Sequence, residues 1–158
     1  MSTETSRPSW SFFIALFLAS FGLNWLWETV QMGAYAQMAD RSWYSVAILH
    51  IVPTLGDVAI TFFVCGVGSL AAGQLRWGTT GRWNVYATAA FLGGACAVAV
   101  EWKALAVGRW SYGDRMPVVP VLNVGLWPLL ELTLLVPLAL CVAARWSGRR
   151  GAANRLTC

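Results

Sequence analysis

Residues 101–131 read EWKALAVGRWSYGDRMPVVPVLNVGLWPLLE. One carboxylate, Glu101, stands near the end of an apolar run, and a second, Glu131, stands inside the next. Between them lies a short loop of aromatic residues, Gly, Pro and both charge signs. Carboxylates inside lipid are costly and by default functional. A loop joining two of them reads as the rim of a site, and the runs on either side read as membrane-crossing helices.

Working outward, the composition agrees. The chain has 158 residues, 58% hydrophobic and 11% charged, with ten Trp; soluble domains carry about 25% charged residues, and Trp favours the bilayer interface. The formal charge of +4 comes with basic residues at the ends of apolar runs, the pattern of a membrane protein rather than of a nucleic-acid binder. The cysteines Cys65, Cys96, Cys141 and Cys158 are far apart and form no C-x-x-C, which argues against thiol–disulfide chemistry.

Four apolar runs are long enough to span: about 10–30, 44–72, 83–107 and 120–144, with a polar segment 1–9 carrying Pro8 before them and a basic tail 145–158 after them. The expected fold is therefore all-α, a single membrane domain built as a four-transmembrane-helix bundle. Pro53 removes a backbone donor and predicts a kink in the second run. Gly66, Gly68, Ser69, Ala72 and Gly73, and the GGACAVAV stretch of the third run, permit close helix contact and suit a homodimer. Arg7, Arg76, Arg82 and four tail arginines, Arg145, Arg149, Arg150 and Arg155, fall on one side; Arg41, Lys103, Arg109 and Arg115 fall on the other. That bias predicts cytoplasmic termini.

In this topology every intramembrane ionisable group lies in the outer half or near the midplane. Asn24, Glu28 and Glu101 come from outward-running spans. His50 and Asn123 start the inward-running ones, with Asp57 and Glu131 roughly 15–18 Å down. Four of the seven acids are used this way, which predicts one chamber open to the outer face. Candidate catalytic residues are Glu131, Asp57, Glu101, Glu28 and His50. A buried neutral carboxylic acid serves as general acid, and it also serves as a proton carrier or a polar staple between helices. Asn24, Trp27, Trp102, Trp110, Tyr112, Asn123 and Trp127 are the candidate substrate-binding set: aromatic faces stabilise a carbocation, stack on a flat apolar ligand, or simply anchor at the interface. His50 is the only histidine, so bis-histidine haem ligation within one chain is excluded. The acids with His50 are chemically competent for zinc or iron, but the E-x-x-H pairs of di-iron bundles are missing. The expectation is therefore no metal and no cofactor.

The blocks NWLWETVQMGAY, LHIVPTLGDV and GRWSYGDRMPVVPVLNVGLWPLLELTLLVPLAL resemble an uncharacterised family of small bacterial inner-membrane proteins with a W-E-x-x-Q in the first span and a W-x-Y-x-x-x-M-P loop. The resemblance spans most of residues 24–138 and implies a location, not an activity. A weaker resemblance is to the lycopene cyclase domain of carotenoid synthesis. There a W-x-Y element, a loop and a P-x-E-E helix follow in order, as Trp110, Ser111, Tyr112 and then Pro128, Leu129, Leu130 and Glu131 do here. One Glu stands where that pattern has two. The likeness implies protonation of an isoprenoid double bond, with Glu131 at the acidic position. The expected function is acid–base isomerisation or cyclisation of an isoprenoid or another lipid-soluble substrate. A non-enzymatic carrier for a small or lipidic ligand and a structural subunit of a membrane complex are the alternatives. The partners implied are that ligand and membrane lipids.

Overall fold

The computed structural model describes residues 10–36, 41–75 and 77–156. Segment 1–9 with Arg7 and Pro8, Arg76, Cys158 and the side chains of Arg149, Arg150 and Arg155 lie outside the described residues. Five α-helices dominate: α1 (Trp10–Gln31), α2 (Trp43–Leu49), α3 (Ile51–Ala71), α4 (Trp83–Ala106) and α5 (Leu126–Leu156). Four of them, α1, α3, α4 and α5, are long and apolar enough to cross a membrane. The protein is an all-α, membrane-spanning four-helix bundle. Its exposed surface is rich in Phe, Leu, Val and Trp, as lipid rather than water requires.

The second apolar run is not one kinked helix. It divides at His50, where α2 ends and α3 begins. Pro53 is the cause, acting one turn upstream of itself: it offers no N–H to the Leu49 carbonyl, and its ring crowds that same group. Ser42 starts α2 by accepting a hydrogen bond from the Ser45 N–H, an N-cap that stabilises the short helix. The indole of Trp25 donates to the Ala47 carbonyl at 3.0 Å and ties α2 to α1.

The fourth run also differs from expectation. Its helix starts at Leu126, and residues before it form a two-stranded hairpin, β1 (Val118–Val119) and β2 (Val124–Gly125). Asn123 holds the turn at φ 53°, a left-handed conformation that Asn tolerates. It therefore lies outside α5 and does not share a helical face with Glu131. Pro128 sits in the first turn of α5, where its missing N–H costs nothing. At the other end α5 runs on through the basic tail to Leu156.

The core joins Phe12 and Leu16 of α1, Val64 of α3, Ala89 and Ala97 of α4, and Val136, Ala139 and Leu140 of α5. Gly93 lets α4 and α5 approach until a Cβ there would meet the Leu132 carbonyl oxygen at 2.4 Å. Small residues bring these backbones together as the GGACAVAV stretch suggested. Gly68 instead receives the Trp77 indole, which a Cβ would meet at 2.5 Å; its partner is a loop ring, not another helix. Ser20 and Thr61 pair at 2.9 Å across α1 and α3.

Candidate functional site

At the end of the bundle that carries the hairpin, the helices part around a cavity of about 550 Å³. One face of α3 (Val52, Pro53, Gly56, Asp57, Ile60) and one face of α4 (Ala97, Val100, Glu101) line it, with Pro128, Glu131 and Leu132 of α5. Glu28, His50, Tyr35, Arg109 and Trp110 complete the lining. The sequence spacing explains the two long walls: residues three and four apart share a helix face. Gly56 has no atom within 4 Å of where its Cβ would stand, so its missing side chain is open cavity.

The five ionisable candidates Glu28, His50, Asp57, Glu101 and Glu131, from four different segments, thus face one space. Three of them converge further. Oxygens of Glu28, Asp57 and Glu131 lie within 4.8 Å of one another. At that distance two ionised carboxylates repel by about 3–4 kcal/mol at an effective dielectric of about 20. Three such pairs would cost about as much as a whole domain's stability, about 5–15 kcal/mol. The cluster must therefore hold protons or a cation. Its neighbours are few. Gln31 donates from one amide nitrogen to Glu28 at 3.1 Å and to Glu131 at 2.9 Å. His50 places Nε2 3.5 Å from Glu28 Oε2. Glu131 Oε1 and Asp57 Oδ2 are buried with no hydrogen-bond partner among the described residues.

Glu101 forms a second group. It is buried and accepts a hydrogen bond from the Tyr112 hydroxyl. That hydroxyl in turn accepts from the Gly125 N–H at 2.7 Å, so the hairpin sets the phenol in place. Burial, reinforced by the Glu101 hydrogen bond, pushes the Tyr112 phenol above its usual range. Burial pushes Tyr35 up further, with Glu101 and the other carboxylates adding to it. Both rings remain neutral donors at physiological pH.

The 109–115 rim is an ordered cap. Ala36 donates to the Ser111 carbonyl and Gly113 to the Ala34 carbonyl, at 3.2 and 2.9 Å. Tyr35 packs edge-on to Trp110 at 6.1 Å, and the Arg109 guanidinium lies 5.4 Å from the Trp110 ring centre.

Of the expected substrate-binding set, Trp110 lines the cavity and Tyr112 touches it through Glu101. The others have different partners. Asn24 is buried and donates to the Ser20 carbonyl at 2.8 Å. Trp27 donates to Gln31 at 3.1 Å and so supports the residue that bridges two acids. Trp102 is half exposed and holds the hairpin through the Leu122 carbonyl at 2.7 Å. Trp127 and Asn123 are outside the lining. Neither Gln31 nor Tyr35 stood among the candidate site residues read from the sequence. Gln31 was within reach, because it stands three residues after Glu28 and so on the same face; Tyr35 was not, because a loop residue carries no periodicity.

Comparison with known proteins found no matching family model, curated protein or solved structure.

Proposed function

We propose that this protein binds a lipid-soluble molecule in its intramembrane chamber and performs acid–base chemistry on it, isomerising or cyclising an isoprenoid. The observation that carries the reading is the convergence of Glu101, Tyr35, Trp110 and the acid cluster on one cavity of about 550 Å³. Its volume suits a small ligand, and its walls at Val52, Ile60, Ala97, Val100 and Leu132 are apolar.

Glu101, held by Tyr112, is the proton-transfer group. It protonates one alkene carbon, the faces of Trp110 and Tyr35 hold the resulting positive charge, and loss of a proton from a neighbouring carbon to the same carboxylate completes an isomerisation. The proton count balances and no redox partner is required. The acid cluster receives the polar end of the ligand.

The test has two parts. Mass spectrometry of protein extracted in mild detergent should find a co-purifying isoprenoid-class lipid, and Gly56→Phe, which fills the cavity from α3, should expel it without unfolding the bundle. In membranes supplied with that lipid, Glu101→Gln should stop its conversion. A cavity that retains no lipid in the wild type refutes the reading; a retained lipid that neither wild type nor variant converts leaves a carrier.

A further inference from the structure

We infer that Glu28, Asp57, Glu131 and His50 form a binding site for a divalent first-row metal ion at the polar end of the chamber. The three acids, whose oxygens lie within 4.8 Å of one another, are the core of the site, and His50 stands beside Glu28 at its edge. His50 Nδ1 lies 2.7 Å from the Val46 carbonyl. A carbonyl only accepts, so Nδ1 donates there, and Nε2 is the ring nitrogen left for the site. Nε2 lies 3.5 Å from Glu28 Oε2. Ligand atoms about 2.1 Å from a tetrahedral metal ion stand about 3.4 Å apart; the His50–Glu28 pair is at that separation, and the three acids, within 4.8 Å of one another, would close in around an ion.

Two further observations point the same way. Glu131 lines the cavity and is 3% exposed, yet its Oε1 meets no donor among the described residues. Asp57 Oδ2 is in the same condition. Gln31 holds Oε2 of both Glu28 and Glu131, which leaves Glu131 Oε1 to turn toward an ion. That is how outer partners orient carboxylate ligands. The contacts of His50 follow the same scheme, with one ring nitrogen on a backbone carbonyl and the other turned to the site. Charge also balances: a divalent ion and the Arg109 guanidinium on the cavity wall cancel three carboxylates. Three oxygens and one imidazole without a thiolate suit Zn²⁺, Mn²⁺ or Fe²⁺.

The metal site stands without the lipid reading above, but it adds to it: an ion here would bind an oxygen function on the ligand's polar end. The experiment uses the full chain in detergent, stripped with chelator, loaded with Zn²⁺ or Mn²⁺ and desalted. One ion per chain is expected by elemental analysis. Asp57→Asn and Glu131→Gln should lose it, and Gln31→Leu should weaken it by about 10–100-fold. Pulsed electron paramagnetic resonance of the Mn²⁺-loaded wild type should show one coupled imidazole nitrogen, absent in His50→Gln; this readout needs no folded acid variant. Wild type that retains no ion, retention unchanged in Asp57→Asn and Glu131→Gln, or no nitrogen coupling each overturns the site. Glu101→Gln separates the two ideas, because it should keep the metal while losing turnover. Lipid retained by a wild type that binds no metal sinks this inference alone; metal bound by a protein that retains no lipid sinks the earlier reading alone.

Discussion

Gly93→Ala tests whether close approach of α4 and α5 builds the chamber. A Cβ at Gly93 would stand 2.4 Å from the Leu132 carbonyl oxygen and 3.1 Å from its carbon. Carbon and oxygen rest at about 3.3–3.6 Å even in favourable contacts, so the helices must separate by about 1 Å. The obstacle is backbone and cannot rotate away. Overpacking against an unyielding backbone takes the upper part of the usual range, about 2–3 kcal/mol, offset by about 1 kcal/mol from the better helix propensity of Ala. The net expectation is about 1–2 kcal/mol of destabilisation. Gly94 provides an internal comparison: its Cβ would meet Thr133 Oγ1 at 2.8 Å, a hydroxyl that can turn aside, so Gly94→Ala should cost less. Gly66 has nothing within 4 Å, so Gly66→Ala should be neutral or stabilising. Denaturation in mixed micelles, followed by Trp fluorescence, measures all three. Because Glu131 adjoins Leu132 and Glu101 lies about two turns beyond Gly93, Gly93→Ala should also weaken ligand retention. A Gly93→Ala variant as stable as wild type, or more stable than Gly94→Ala, would show that the two backbones do not meet as described.

Tyr112→Phe removes the donor to Glu101 and the acceptor for the Gly125 N–H; a loss of about 1–3 kcal/mol and a loosened hairpin are expected by hydrogen exchange at Gly125. Tyr35 and Tyr112 should resist ionisation as pH rises past about 10, so ultraviolet absorbance of the wild type minus that of a Tyr35→Phe, Tyr112→Phe double variant should show no phenolate near pH 11. Because the folded-state phenols are held above their unfolded value, the stability they contribute is complete below about pH 10 and declines above it; rising stability across that range would contradict the burial. Cysteine placed at Ser111 should react with an impermeant reagent in intact cells and cysteine at Ser147 should not, and the reverse result would invert the topology.

The pattern of apolar runs determined the membrane class and the number of crossing helices, because roughly twenty residues without charge have one stable place, and lipid forces their backbone into helix. The same logic marked Glu28, His50, Asp57, Glu101 and Glu131, since an ionisable group is conspicuous where every neighbour is apolar. Helical spacing accounts for the α3 and α4 walls once the helices are in place. It could not give the break at His50, because Pro53 acts through the Leu49 carbonyl, nor the hairpin before α5, because its pairing joins residues across a turn. It misplaced Asn123 for the same reason. Only the packed bundle decided which acids meet. Glu28, Asp57 and Glu131 converge within 4.8 Å while Glu101 goes to Tyr112, a choice set by where Gly93 lets α4 touch α5 and by how Pro53 re-aims α3. Those are relations between helices, and periodicity along one chain segment carries no information about the rotation of its neighbour.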